Sequence, residues 1–356
     1  MRKGMLRNVL SNLKRIAVHS RIHLDEVVAV WLIFKFGGDL IKNLHELEII
    51  VWSSGNSTPD GKSVRNHILA GLLPIGVGGG VTDEHSRNGS GHYGKSSAEI
   101  IAELLGVQNL PELKQILKMV HSDDVEGSSS FDQLGPLVLA LSNEWADSPK
   151  SVVDYFSILL DALYERQCRF VEGRKEIAQI EKEARKERDD YRVQSIWIHG
   201  EKLRLITIES DNDQIVNSAW SRGYDAVIKR CSSGHTQVLA NKRVTLAELD
   251  RVATRLRINE LHRRGKGNQI RKTNLSLDGH LSVAPEWYYQ REAGRIMNGC
   301  HSATGVSPTR LSLEDIRKIV LAAINPPGRK TVQIKKREEG GLSINRVADA
   351  MEKVSV

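Results

Sequence analysis

Three short stretches of this chain gather side chains that hold cations and move protons. The first is His19-Ser-Arg-Ile-His23-Leu-Asp25-Glu26, two imidazoles and two carboxylates within eight residues. The second is Gly76-Val-Gly-Gly-Gly-Val-Thr-Asp83-Glu84-His85, and the third is His121-Ser-Asp123-Asp124. Imidazole with carboxylate suits manganese, zinc or iron, and the carboxylates lean the choice toward harder ions. Consecutive glycines let backbone approach a ligand with no Cβ in the way. A phosphate-cradling loop competes for the second stretch, but no Gly-Lys-Ser/Thr completes the triple-glycine turn. Taken singly, each stretch also reads as an ordinary turn, loop or helix end.

Apolar segments stand before all three. Arg15 to Val18 predicts a short buried strand that delivers His19 to a polar turn. Asp25 then caps a helix over VVAVWLIFKF, which stops at Gly37-Gly38. Leu47 to Trp52 predicts a second strand, and LLPIGV runs into the triple glycine. Ser96 to Glu99 has the capping-box form, and Pro111 to Val120 continues helical into His121. Strand, loop and helix in repetition predict a parallel α/β sheet, whose sites sit at strand-to-helix turns. From Pro149 to Tyr191 the pattern is one or two long helices. Its charged stretch EGRKEIAQIEKEARKERDDY reads as a solvated connector held by i,i+4 charge pairs. Strand patterns return at SIWIHG, KLRLITIES, YDAVIKRC and TQVLAN, a second α/β unit.

In order, the motifs run H-x3-H-x-D, then three glycines with D-E-H, then H-x-D-D. The series resembles the DHH phosphoesterase superfamily, and most closely its Myg-type (melanocyte-proliferating-gene) exonuclease branch. The resemblance covers the first 130 or so residues. It implies an α/β protein with a parallel-sheet DHH-type catalytic domain (1–148) and a smaller α/β substrate-binding domain (193–326); composition sets between them a long helical connector (149–192) and after them a basic, loosely ordered tail (327–356). It also implies one or two Mn2+ or Mg2+ ions. Their ligands are His19, His23, Asp25, Asp83, His85 and one of Asp123 and Asp124. Asp83, Glu84 and His85 would take the catalytic roles, Glu84 standing where the family has the central His of its D-H-H triplet. The activity implied is hydrolysis of phosphodiesters, with single-stranded nucleic acid or oligonucleotides as substrate. Gly76 departs from the pattern, since the family places there the aspartate that bridges two metals. The longer Glu84 side chain would compensate, or one metal only would bind. The alternative function is a catalytically impaired DHH-like module that binds nucleic acid or a nucleotide ligand.

Composition agrees with a polyanionic partner. The formal charge is +7, and the isoelectric point lies near 9.2. Between Lys242 and Lys272 there are ten Lys or Arg against three acids. Arg263, Arg264, Lys266, Arg271 and Lys272 in this segment, with His301 beyond it, are the expected substrate contacts, lining a phosphate-tracking wall. Trp287-Tyr288-Tyr289 near Arg291 and Arg295 suits base stacking, though core packing is the favoured reading. Three cysteines without CxxC spacing point to a reducing, cytoplasmic setting. No apolar run reaches the length of a membrane span. Assembly as a homodimer is compatible with the sequence.

Overall fold

The computed structural model describes residues 10–53, 57–83, 94–128, 130, 133–186, 191–198, 200–272, 274–300 and 305–325. They form two compact units, one taking residues up to Lys186 with Asn212–Arg222, the other Glu187–Asp211 with Gly223 onward.

The first unit is built on β1 (Arg15–His19), β2 (Glu48–Trp52) and β3 (Leu72–Pro74), all parallel in the order β2-β1-β3. Ile16, Ala17 and Val18 are fully buried, as expected of a middle strand. The chain leaves β1 for a neighbour on one side and returns to the other. The carboxyl end of β1 is therefore a topological switch point, where such sheets open a crevice for ligands.

Helix α1 (Leu24–Phe36) follows β1, and every residue from Leu24 to Ile33 is buried. A helix apolar on all sides belongs at the centre of a unit. Around the sheet and α1 stand α2 (Val64–Leu69), α3 (Ser97–Leu105), α4 (Lys114–Asp124), α5 (Leu134–Glu144) and α6 (Pro149–Ala184). The cap of α1 is His23, with φ −99° and ψ 170°, and not Asp25. The reason is Glu26, whose carboxylate turns back to accept the His23 backbone N–H at 2.9 Å. Asp25 thereby falls inside the first turn.

The connector reading of the long helix fails in its first half. Val152, Val153, Phe156 and Leu160 of α6 lie in the same core as α1. Asp161 accepts from Trp31 Nε1 at 3.2 Å and from Lys35 Nζ at 2.9 Å. The second half also packs: Val171 and Ile177 are buried, and the Ser218 hydroxyl of α7 (Ile215–Ser221) donates to Phe170 O at 2.8 Å. The high charge density hid an apolar stripe at helical spacing.

The second unit carries a seven-stranded sheet: β4 (Val193–Ile198), β5 (Glu201–Glu209), β6 (Ala226–Arg230), β7 (Thr236–Ala240), β8 (Gly279–Leu281), β9 (Ala284–Gln290) and β10 (Arg295–Met297). Its order is β4-β5-β6-β7-β10-β9-β8, and only β5 and β6 run parallel. Helices α8 (Leu246–Arg263) and α9 (Leu313–Ile324) share its core. The chain is thus mixed α/β with a parallel and a mixed sheet. The expected tail, 327–356, lies outside the described residues. Among these, no helix is long and apolar enough to cross a membrane.

Candidate functional site

Because β1 ends at His19 and α1 begins after His23, both histidines stand at the carboxyl end of the middle strand. Their rings are near parallel, with centroids 5.9 Å apart. His23 is exposed, whereas Asp25 and Glu26 are 2% and 1% exposed. One ligand atom from each of His23, Asp25 and Glu26 lies within 4.8 Å of the other two. An imidazole and two carboxylates at that spacing suit a single divalent ion.

Glu26 ties this turn together. Its Oε1 accepts the His19 backbone N–H at 2.8 Å and lies 3.2 Å from His19 Nδ1, while Oε2 serves His23. Sequence reasoning quoted Glu26 within the first motif and gave it no role. Its signal was position: it is the third residue of the helix, where a capping box sends a carboxylate back to the cap.

The glycine loop packs against the same carboxylate. Gly76 has φ +65°, and a Cβ there would meet Glu26 Cγ at 3.0 Å and Cδ and Oε1 at 3.3 Å. Only glycine takes this conformation at no steric cost. The place where the resemblance implies an aspartate is filled from α1 by Glu26. The loop closes on itself: Gly76 N–H donates to Thr82 O at 3.0 Å, the Thr82 hydroxyl to Pro74 O, and the Ser97 hydroxyl to Thr82 O at 3.1 Å. Asp83 is fully buried, and its Oδ2 accepts the Gly79 N–H at 2.6 Å. That carboxylate shapes the loop backbone.

Not all expected ligands converge. Asp83 sits on the loop beside Glu26 but is no member of the three-residue cluster. Glu84 and His85 lie outside the described residues. Asp123 and Asp124 end α4 and are not in the cluster either; the Asp123 carboxylate packs against Gly135 of α5. His121 Nδ1 lies 3.1 Å from Glu99 Oε2, the carboxylate that caps α3. A second pattern went unread. Gly89-x4-Gly94-Lys95-Ser96 has the spacing of a phosphate-cradling loop. Residues 84–93 are outside the described set; Lys95 pairs with Glu103, and the Ser96 hydroxyl serves Glu99. Cavities of about 560 and 540 Å³ in this unit are lined by other residues, around Lys14 and Glu46 and around Lys114 and Arg174.

In the second unit the basic segment is less one-sided in space than in sequence. Arg257 is fully buried and donates to the carbonyls of Leu275, Leu277, Gly279 and Trp287 at 2.7–3.2 Å. Burial lowers its guanidinium to about 10. Arg264 lies 2.7 Å from Glu260, 3.1 Å from Glu286, and donates to Pro308 O. Buried Glu260 also takes Trp287 Nε1, Thr309 Oγ1 and Arg310 N–H. Arg264 therefore neutralises an internal acid and does not line a groove, because a buried carboxylate needs a cation beside it. Arg263 pairs with Asp315 at 3.2 Å on the surface, and Lys266 is exposed. Arg271 and Lys272 fall in a short 3-10 segment, Gly267–Lys272, and His301 lies outside the described residues. Trp287 and Tyr289 are fully buried and belong to the core, and Tyr288 between them is half-buried. In the Ser233-Gly-His235 turn Ser233 is exposed and His235 is buried: His235 Nε2 donates to Val306 O at 2.9 Å, and Nδ1 is 3.0 Å from the Ser233 hydroxyl.

No family model matches the chain, and no curated protein does. Among solved structures, an uncharacterized protein from Helicobacter pylori G27 is similar over 88% of this chain and 99% of its own, at 14% identity and a TM-score of 0.27. At those values the likeness carries no inference about fold or activity. The resemblance to the DHH phosphoesterases is one of sequence motifs, and none of these comparisons supports it.

Proposed function

We propose that the first unit holds one divalent cation at the end of β1 and uses it to hydrolyse phosphodiesters, with single-stranded nucleic acid or oligonucleotides as the substrate class. The observation that carries this reading is the close grouping of His23, Asp25 and Glu26 at the switch point of a parallel sheet. The donor set fits one ion of the Mn2+ or Mg2+ kind, and Gly76 contributes no carboxylate toward a second. When bound, such an ion supplies Lewis acidity toward a phosphoryl oxygen. The chain's own part is positional. Glu26 fixes the turn between β1 and α1, and Asp83 holds the glycine loop beside it. The net charge of +7 favours approach of a polyanion.

A second reading follows from the packing of Glu26 on Gly76, which leaves no room there for a bridging carboxylate. On that reading the unit binds phosphodiesters and does not turn them over. One experiment separates the two: purified chain with Mn2+ shortens end-labelled oligonucleotides, and Asp25→Asn removes the activity. Salt-sensitive binding without shortening, on RNA, DNA and dinucleotides alike, leaves the binding module.

A further inference from the structure

We propose that the first unit has a ligand site separate from the His23 cluster, in the cavity beside Lys114 and Arg174. It takes a small planar molecule that carries a phosphate and has about the size of a mononucleotide. The cavity, about 540 Å³, lies in the range of sites that enclose small ligands. Gln167, Phe170, Val171, Arg174, Lys175 and Ala178 line it at helical spacing along α6, so one face of that helix makes its wall. Lys114 at the start of α4 and Arg222 at the end of α7 stand on its other sides. The last turn of α4 is the end that approaches the glycine loop: His121 meets Glu99 at the cap of α3, and Ser97 beside it reaches Thr82. Lys114 stands about 10 Å further back along the helix axis.

Charge is segregated on this wall. Arg174 and Lys175 line the cavity, whereas Glu172 and Glu176 of the same stretch do not, nor does any other acid among the described residues. Lys114, Arg174 and Lys175 are exposed and make no ion pair or hydrogen bond among the described residues. Lys150 and Arg169 of the same helix, by contrast, pair with Asp154 and Asp213. Arg222, paired with Glu181, is a fourth cation at the rim. Like charges around one concavity raise its potential, and an entering anion relieves their repulsion. A phosphate accepts from several such donors at once, and from an arginine in bidentate fashion. The rest of the wall is apolar. Val171 is buried, and half-buried Phe170 offers a ring for a base to stack on. An inorganic anion would use the cations alone; the two features together select an organic phosphate.

The test titrates the full chain by calorimetry at fixed salt, in chelator so that no divalent ion takes part. The probes are adenosine 5′-monophosphate, adenosine and inorganic phosphate. The monophosphate binds once per chain, and the other two bind at least about tenfold more weakly, each lacking one set of contacts. Arg174→Gln with Lys175→Gln lowers affinity for the monophosphate by about 10–100-fold, through the loss of charge-assisted contacts. Glutamine suits an exposed helical position, so the melting temperature holds. Lys118→Gln with Lys182→Gln removes the same charge from exposed positions of α4 and α6 outside the cavity, and leaves affinity within about twofold of wild type. Phe170→Leu keeps the wall apolar and costs at least about fivefold. Equal losses in the two double variants overturn the inference, because net charge alone then attracts the anion. An unaltered Phe170→Leu overturns it too, as does a wild type that ignores the monophosphate or binds adenosine or phosphate as tightly. These titrations contain no Mn2+, so their failure leaves the cation site standing, and failure of the cation site leaves them intact.

Discussion

Placing aspartate at position 76 tests the packing at the site. Three costs arise together in the metal-free protein. The backbone at φ +65° is paid for by any residue with a Cβ at about 1 kcal/mol. The new Cβ meets Glu26 Cγ at 3.0 Å, and crowding of that kind in a packed interior costs about 1–3 kcal/mol. A second carboxylate about 4 Å from Glu26 adds roughly 4 kcal/mol of repulsion at an effective dielectric of about 20. Gly76→Ala carries the first two terms without the third. Urea unfolding of metal-free protein therefore places Gly76→Ala about 2–4 kcal/mol below wild type and Gly76→Asp lower again by about 2–4 kcal/mol, because Asp tolerates the left-handed region somewhat better. Mn2+ raises the stability of Gly76→Asp more than that of Gly76→Ala, since a cation screens the added charge. Equal stability of all three proteins would refute the packing of Glu26 on Gly76.

In the second unit, Arg257→Met strands the four carbonyls that its guanidinium serves. It lowers stability in urea by about 3–5 kcal/mol, and Arg257→Lys does not restore it, because an ammonium cannot span four acceptors. Asp250 accepts from Arg291 at 2.9 and 3.0 Å and from the Tyr289 hydroxyl at 2.9 Å, and the Arg291 bond first of all holds its carboxyl below the usual 3.8. A value depressed in the folded state gives stability that is complete above the unfolded value and is lost as pH falls through the folded one. The stability gap between wild type and Asp250→Asn is therefore constant near neutrality and closes below about pH 4.

Much of the first unit was legible because its signals are local. The apolar run before His19, the triple glycine and the Ser96–Glu99 box each specify an element without reference to the rest of the chain. The cap of α1 was misread by two residues, since Asp25 is the better cap by residue type and only the return of Glu26 to His23 decides otherwise. The connector reading of α6 follows from its charged last third, from Glu172 on, although Val152, Val153, Phe156 and Leu160 already carry the helical period in its first half. The basic segment misled for a related reason. Net charge along a sequence does not say which arginines face buried acids, and Arg257 and Arg264 turn inward to carbonyls and to Glu260. The capping role of Glu26 is legible from its place in the first turn, but its packing on Gly76 is not, because Gly76 lies fifty residues further along the chain.

The amount of metal bound per chain tests the central claim most directly. Equilibrium dialysis against Mn2+ followed by elemental analysis gives one ion per wild-type chain, none in Asp25→Asn, and one in Asp123→Asn, whose carboxylate packs against Gly135 away from the cluster. No ion in wild type, or an ion that survives Asp25→Asn and leaves with Asp123→Asn, contradicts the account.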